Sequence, residues 1–164
     1  MQKRKELLKE GRKTKIRISN EFYLFFSTTL IIIILDQATK QIAIDALREP
    51  VSIINNILSL SIVKNTGAGF GFLDGFKGIN SLMIYLSLFI IGLILYFYYK
   101  VPNKTSAHIS LALILGGGIS NFIDRVRLGY VIDFIAPSFW PSFNVADAAI
   151  TIGVIGFIVF GWRE

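Results

Sequence analysis

Two aspartates in strongly apolar sequence, Asp133 and Asp147, are the residues of this chain best suited to chemistry. They stand fourteen positions apart in "VIDFIAPSFWPSFNVADAAI", and neither has an opposite charge three or four positions away in its own segment. Two carboxylates that meet in a sheltered pocket cannot both ionise cheaply, so one pKa rises and the pair shares a proton. One acid can then take a proton from water while the other protonates a carbonyl oxygen, which is peptidase chemistry. The alternative is that both carboxylates are solvated at an interface.

The residue types that are absent narrow the chemistry further. The chain has no cysteine, which excludes disulfides and thiolate chemistry, and a single histidine, which excludes a His-pair metal site. We therefore predict no metal and no cofactor. The polar, turn-like segment "KVPNKTSAH" predicts that His108 lies solvated in a loop.

The composition indicates a membrane protein of one domain. Of 164 residues, 53% are hydrophobic and only 17% are charged, and the mean hydropathy is +0.60. A helix needs roughly 20 apolar residues to cross a bilayer, and four segments meet this requirement: Phe22–Ile44, Leu82–Tyr99, Ile109–Val126 and Phe143–Trp162. The predicted fold class is an α-helical integral membrane protein with four transmembrane helices.

The distribution of positive charge predicts the orientation of these helices. Eight of the 17 Lys and Arg residues precede the first apolar segment, and no aromatic residues are interleaved with them, so we predict no binding to nucleic acid. With both termini in the cytoplasm, the inner segments carry 11 basic residues and the outer loops 4. We predict a basic cytoplasmic tail over residues 1–21 and a single four-helix membrane domain over 22–164.

The segment between the first two predicted helices differs from the helices. The sequence "VSIINNILSLSIVKNTGAGFGF" alternates, is rich in β-branched residues and closes with glycines. This pattern predicts short strands and a turn, and hence a small extracytoplasmic β-element. Asn65 could offer its amide to an extended peptide.

Polar residues cluster at one depth of the predicted bundle, near its outer face, with Asp133 in a short loop between the third and fourth helices. Each ionisable group inside a membrane costs about 2.5–3.5 kcal/mol, so they need partners. Asp36 and Lys40 are spaced to pair on one helix face, Asp124 could pair with Arg125 or contact substrate, and Asn144 can orient Asp147. The three glycines at 116–118 predict close helix packing.

Four motifs in order carry a family resemblance that covers residues 36 to 150. "DQATK", "NTGAGFGF", "GGGISNFIDRVRLGYVIDF" and "FNVADAAI" resemble the motif series of the prolipoprotein (type II) signal peptidases. The resemblance implies an intramembrane aspartic endopeptidase of the bacterial cytoplasmic membrane, with its active site near the outer face. Such an enzyme removes the signal peptide of a prolipoprotein by cutting before a diacylglyceryl-modified cysteine.

The resemblance also implies roles for particular residues. The catalytic pair would be Asp133 and Asp147, and Asp124 would be a supporting residue. The other matching polar positions would bind substrate or order the site: Asn65, Asn121, Arg125, Asn144, Asp36 and Lys40. The expected partners are lipidated prolipoproteins and membrane lipid, with no obligate protein partner.

Three other interpretations remain open at this stage. A small proton- or ion-coupled carrier would use the membrane carboxylates as a relay, but would need acids at several depths. A structural membrane subunit would carry a polar stripe along a helix. A serine–lysine peptidase would use Lys40 as the base, although Ser27 lies too far along the same helix to be its nucleophile.

Overall fold

The computed structural model of the chain describes residues 20–67, 78–101 and 104–161. These ranges contain four helices and three strands, in the order α1 (Asn20–Ala46), β1 (Val51–Ile54), β2 (Leu58–Asn65), α2 (Ile79–Lys100), α3 (Thr105–Leu128), β3 (Val131–Pro137) and α4 (Val145–Phe160). The basic tail up to residue 19, part of the glycine-rich segment (68–77) and Trp162 lie outside the described residues.

The four helices coincide with the four predicted membrane segments, which confirms that part of the expected fold. Three of them, α1, α2 and α3, are long and apolar enough to cross a membrane by length and composition. The fourth, α4, is equally apolar in character but has only 16 residues. Local signals set the ends: α3 stops at Gly129, which has a φ of 84°, and α4 starts after the N-cap residue Asn144.

Helix α3 is the centre of the bundle. In its most apolar window 56% of the residues are buried, against 17% in α1 and 6% in α2, and α1, α2 and α4 all pack against it. Phe25 of α1, Ile94 of α2 and Leu111 of α3 belong to the main hydrophobic cluster. The outer faces of α1, α2 and α4 expose large aliphatic and aromatic side chains, as expected of surfaces that meet lipid tails.

A three-stranded antiparallel sheet, in the order β1-β2-β3, lies beside the helices. Strands β1 and β2 confirm the β-element expected between the first two helices. The sequence did not predict the third strand. Asp133 was predicted to lie in a short loop, whereas it lies in β3 opposite Val63. The prediction was wrong because β3 is only seven residues long and pairs with a strand almost seventy positions away, which local sequence does not reveal.

The first two glycines of the run at 116–118 allow close helix packing, as predicted. A Cβ atom on Gly116 would lie 2.9 Å from the Thr29 carbonyl oxygen of α1, and one on Gly117 would overlap the Ala146 carbonyl oxygen of α4. Gly118 differs, because a Cβ atom there would meet nothing within 4 Å. The run therefore contacts two helices and leaves one open face.

The prediction that His108 is a solvated loop residue is wrong. His108 lies in the first turn of α3 and only 2% of it is exposed. Its Nδ1 lies 2.9 Å from the Lys104 carbonyl oxygen, and its ring packs edge-on against Tyr98 with 5.2 Å between the centroids. The polar sequence before it marks the turn, but the end of α2 covers the start of α3.

The different surroundings of the adjacent glycines lead to a prediction about stability. We expect Gly117→Ala to lower the midpoint of thermal unfolding in detergent, since overpacking a close contact costs about 1–3 kcal/mol. The matched variant Gly118→Ala should leave the midpoint unchanged or raise it, because alanine favours helix by about 1 kcal/mol over glycine. Equal effects of the two substitutions would contradict the packing described here.

Candidate active site

Asp133 lies on β3 and is 1% exposed. Its Oδ2 accepts a hydrogen bond of 2.9 Å from the Asn65 Nδ2, and its Oδ1 one of 2.8 Å from the Asn144 Nδ2. The strand register explains the first contact: Val63 pairs with Asp133, so Asn65, two residues on, is on the same face of the sheet. Two amide groups from separate elements therefore hold this carboxyl.

Asp147 occupies the third position of α4 and takes part in a capping box with Asn144. The Asp147 backbone N–H donates to the Asn144 Oδ1 (2.9 Å), and the Asn144 backbone N–H donates to the Asp147 Oδ2 (3.2 Å). The other carboxyl oxygen accepts 2.8 Å from the Asn121 Nδ2 of α3. The expectation that Asn144 orients Asp147 is confirmed, and the helix N-terminus favours negative charge at this position.

Asn144 brings the two aspartates into one site. It is completely buried, and its side-chain amide nitrogen contacts the Asp133 Oδ1, while its backbone N–H and side-chain oxygen hold Asp147. The same amide nitrogen lies 3.2 Å from the Ile132 carbonyl oxygen and 3.2 Å from the Asn121 Oδ1. One residue thus links the end of the sheet to the start of α4.

Behind this pair lies a buried ionic cluster centred on Lys40, which is 2% exposed. Its Nζ is 2.7 Å from the Asp36 Oδ2, 2.7 Å from the Asp124 Oδ2 and 3.0 Å from the Asn121 Oδ1. The predicted ion pair between Asp36 and Lys40 is confirmed. The suggested pair between Asp124 and Arg125 is wrong, because consecutive helical residues point about 100° apart and Asp124 faces Lys40.

The two acids of this cluster reach the elements that carry the aspartate pair. Asp36 accepts a hydrogen bond of 2.8 Å from the Ala146 backbone N–H at the start of α4. Asp124 accepts one of 3.2 Å from the Ile132 backbone N–H in β3. The cluster therefore fixes the backbone immediately next to both Asp133 and Asp147.

Two further members of the cluster were missed by sequence reasoning. Gln37 donates hydrogen bonds of 2.8 Å to the Asp124 Oδ1 and 3.0 Å to the Ser120 Oγ. Ser120 in turn donates one of 2.7 Å to the Asp36 Oδ2. The sequence weakly indicated both, because Gln37 follows Asp36 and Ser120 precedes Asn121, which were predicted site residues. Ser120 is completely buried, and polar residues so placed inside apolar helices normally have a partner.

The hydrogen-bond pattern fixes the direction of the Asn121 amide. Its oxygen receives the Lys40 ammonium and the Asn144 amide, both of which are donors in this arrangement. Its nitrogen must therefore point to the Asp147 carboxyl, as observed. In this way Lys40, through Asn121, presents a donor to Asp147 and stabilises its ionised form.

The environment of Asp133 favours the protonated form. Burial raises its pKa from 3.8 to about 6, with a further increase from the charge of Asp147. The hydrogen bonds from Asn65 and Asn144 and the charge of Lys40 act in the opposite direction. Asp133 can therefore hold a proton under mildly acidic conditions.

Asp147 separates two concave surfaces. The first, which we call the Trp140 groove, has a volume of about 340 Å³ and is lined by Trp140, Phe143, Asp147, Ala148, Thr151 and Ile152. The second, the interhelical cleft, has a volume of about 230 Å³. It lies between α2 and α4 above α3 and is lined by Met83, Leu86, Ser87, Ile90, Ile114, Gly118, Asn121, Arg125, Asp147 and Ile150.

Arg125 lines the interhelical cleft at the level of Asp147. Its Nη1 lies 3.4 Å from the Asn121 carbonyl oxygen. Asn80 at the start of α2 donates a hydrogen bond of 3.2 Å to the Arg125 carbonyl oxygen. Among the described residues, the buried Arg125 Nε and Asn80 Oδ1 have no hydrogen-bond partner.

The acids of the site are not arranged as metal ligands. Within the described ranges, no three His, Cys, Asp or Glu side chains form a group that could hold a metal ion. The position between Asp36 and Asp124 is filled by the Lys40 ammonium.

Apolar helices around a buried acidic site define a helical membrane protein with a polar site inside it. Residues 28–163 match the family model described as "Signal peptidase (SPase) II". The chain belongs to the signal peptidase II family, as its motifs predicted, and it is a bacterial membrane peptidase that removes signal peptides from prolipoproteins.

Similar proteins agree with this assignment over most of the chain. A lipoprotein signal peptidase of Halothermothrix orenii is 35% identical over 143 residues, which cover 86% of this chain and 97% of that protein. One of Caldanaerobacter subterraneus is 41% identical over 128 residues, covering 76% and 86%. A bacterial membrane enzyme solved by the in meso method at 1.9 Å resolution has a TM-score of 0.72 and 29% identity, covering 85% of this chain and 93% of that one.

The ionic cluster leads to a prediction about stability. Lys40→Met should lower the free energy of unfolding in detergent by about 3–5 kcal/mol, because it leaves buried carboxylates without their counter-charge. In an Asp124→Asn background the same substitution should cost markedly less, since one of those charges is already gone. A double-mutant cycle of unfolding measurements with no coupling between the two sites would contradict the observed contact.

The hydrogen bond from Asn65 leads to a prediction about titration. Replacing Asn65 by Leu removes a donor to the ionised carboxylate, so the pKa of Asp133 should rise above its value of about 6. This pKa can be measured as the midpoint of a titration followed by infrared spectroscopy. The signal is the band of the protonated carboxyl group, recorded across pH, as the difference from the spectra of Asp133→Asn.

The same group should influence stability with a defined sign. Its folded-state pKa of about 6 lies above the reference value of 3.8, so its stabilising contribution is complete below pH 3.8 and is lost as the pH rises through 6. The stability of Asp133→Asn should lack this component. If the infrared titration of Asn65→Leu gives an Asp133 pKa that is unchanged or lower, the Asn65 amide does not stabilise the ionised carboxylate.

Proposed function

We propose that Asp133 and Asp147 are the catalytic pair of this peptidase and that it cuts prolipoproteins immediately before a diacylglyceryl-modified cysteine. The observation that carries the proposal is the bridge by Asn144, which holds both carboxyl groups in one sheltered site. The two acids have different surroundings: burial raises the pKa of Asp133 to about 6, and Asp147 sits at a helix N-terminus, which favours negative charge. Two carboxyl groups in one sheltered site can act as acid and base in one reaction.

The proposed reaction assigns a different role to each of the two acids. The Asp147 carboxylate removes a proton from a water molecule as the water oxygen attacks the scissile carbonyl carbon, and protonated Asp133 gives its proton to the carbonyl oxygen. The resulting diol collapses when its hydroxyl proton returns to Asp133 and Asp147 protonates the leaving nitrogen. The carbon–nitrogen bond then breaks, leaving a new carboxyl group on the signal peptide and a free amine on the cysteine.

The surrounding residues have positioning roles in this proposal. Asn121 and Asn144 orient Asp147, and Asn65 orients Asp133 through the contacts described above. Asp36, Lys40 and Asp124 hold the elements that carry the pair. Arg125, which lines the interhelical cleft together with Asp147, is the residue best placed to bind a carbonyl oxygen of the substrate.

We further propose that the site faces the outer surface of the cytoplasmic membrane and that both termini are cytoplasmic. Asp36 lies in the C-terminal half of α1, Asp124 near the end of α3, and Asp147 at the start of α4, and the contacts of Asp36 with Ala146 and of Lys40 with Asp36 and Asp124 bring these parts of the helices together. The basic sequence at 1–21 favours the cytoplasm for the opposite end. Residues 22–164 would then form one membrane domain.

The carrier interpretation receives no support from the positions of the buried acids. Within the described residues, the buried aspartates are Asp36, Asp124 and Asp133, and they surround a single site. A proton relay across the membrane would need such groups along the path.

The central test uses purified protein in detergent with a diacylglyceryl-modified precursor peptide. We expect cleavage before the modified cysteine, no cleavage of the unmodified peptide, and no effect of a chelator. Asp133→Asn and Asp147→Asn should each reduce kcat by about a thousandfold or more, because each removes one half of an acid–base pair.

The matched control is Asp45→Asn. Asp45 is an exposed acid at the end of α1 whose contact is with Gln41, so its substitution should leave kcat unchanged. Thermal unfolding must show that the two site variants remain folded. Substantial turnover by either folded variant would falsify the catalytic assignment.

A further inference from the structure

The Trp140 groove presents an apolar surface directly beside one of the two site aspartates. Its walls are the side chains of Trp140 and Phe143, and its floor is formed by Ala148, Thr151 and Ile152 of α4. Among the described residues that line it, only Asp147 is charged. A ligand in this groove would therefore have its polar end at Asp147 and its apolar part along α4.

The polar side chains of Thr151 and Asp147 in the groove are already hydrogen-bonded. The Thr151 hydroxyl donates a hydrogen bond of 2.8 Å to the Asp147 carbonyl oxygen. Both carboxyl oxygens of Asp147 accept hydrogen bonds from Asn121 and Asn144. A hydrocarbon chain could fill the groove without leaving one of these groups unpaired.

The floor of the groove continues along the lipid-facing surface of α4. Ala148, Ile152, Ile155 and Val159 are spaced by three or four positions and so share one helix face. Ile152 is 61% exposed, Ile155 57% and Val159 41%. Since α4 is an apolar helix of a membrane protein, this face meets lipid tails, and the groove opens directly onto them.

The interhelical cleft on the other side of Asp147 has a different character. Polar side chains of Asn121 and Arg125 line it, and a hydrocarbon chain in the cleft would take them out of water without offering them a hydrogen bond. A peptide carbonyl could accept a hydrogen bond from the Arg125 guanidinium. The two surfaces are therefore chemically distinct, and only the Trp140 groove suits a purely apolar chain.

We propose that the Trp140 groove binds the acyl chains of the lipid carried by the substrate's cysteine. The inference rests on the proposed function and assigns one part of its substrate to one surface. It explains how a lipid-modified residue could be recognised, since the groove starts at the proposed catalytic base and ends in the bilayer. Trp140 and Phe143 would then determine specificity by contacting the chain nearest the scissile bond.

The first experiment compares substrates with long and short acyl chains in a variant whose groove is filled by a larger side chain. Ala148→Leu should fill the groove, and kcat/KM for a dipalmitoyl-modified peptide should fall at least tenfold, mainly through KM. For the same peptide with dibutyryl chains, which are too short to extend along α4, kcat/KM should change less than twofold. The control Val154→Leu adds bulk to another exposed position of α4 and should alter neither substrate.

Filling the interhelical cleft distinguishes the two surfaces. Gly118 lines that cleft, and a Cβ atom there meets nothing within 4 Å, so Gly118→Leu should fold. If Gly118→Leu causes the loss specific to long chains and Ala148→Leu does not, the acyl chains lie in the cleft and the inference is wrong. Equal losses for both chain lengths in Ala148→Leu would also overturn it.

A second experiment does not depend on cleavage. In a Trp162→Phe background Trp140 is the only tryptophan, and dipalmitoyl-modified peptide carrying bromine atoms near the ester end of its chains should quench its fluorescence in detergent. The unbrominated peptide should not, and Ala148→Leu should reduce the quenching. Absence of cleavage by the unaltered protein would reject the proposed function, whereas absence of quenching would reject the groove assignment by itself.

Discussion

The buried ammonium group of Lys40 is the interaction on which the rest of the site depends. It lies against two carboxylates, Asp36 and Asp124, which could not be buried as a pair of like charges without it. The two carboxylates also accept hydrogen bonds from backbone N–H groups of other elements, Asp36 from Ala146 in α4 and Asp124 from Ile132 in β3. Removing the cation would therefore loosen the attachment of both elements to the bundle.

The four buried or partly buried aspartates of the site differ in how their charge is balanced. Asp36 and Asp124 each face the Lys40 ammonium at 2.7 Å, a distance at which opposite charges attract strongly. Asp133 and Asp147 receive amide donors instead. Amides orient a carboxylate and stabilise it but add no positive charge, so among the described residues neither acid of this second pair contacts a cation directly. The first pair has a structural environment, and the second is the pair to which the proposed function assigns proton transfer.

Much of this arrangement could be predicted from sequence, wherever the signal was local. Long apolar runs predicted the four helices, the spacing of Asp36 and Lys40 predicted their ion pair, and the spacing of Asn144 and Asp147 predicted their contact. The errors have a common physical origin in contacts between distant segments. Strand β3 exists because it pairs with β2, Asp124 turns toward Lys40 because α1 packs there, and His108 is buried because the end of α2 covers it.

The glycine run of α3 shows how close packing creates the geometry of the site. Successive helical residues point about 100° apart, so Gly116 meets α1, Gly117 meets α4 and Gly118 opens into the interhelical cleft. The contact between Gly117 and the Ala146 carbonyl leaves no room for a side chain, which places the first turn of α4 directly on α3. Asn121 lies one turn beyond Gly117 on the same face, and the residue after Ala146 is Asp147. The hydrogen bond between Asn121 and Asp147 is thus a direct consequence of a helix contact that only glycine permits, while the neighbouring glycine keeps the path to the same carboxylate open.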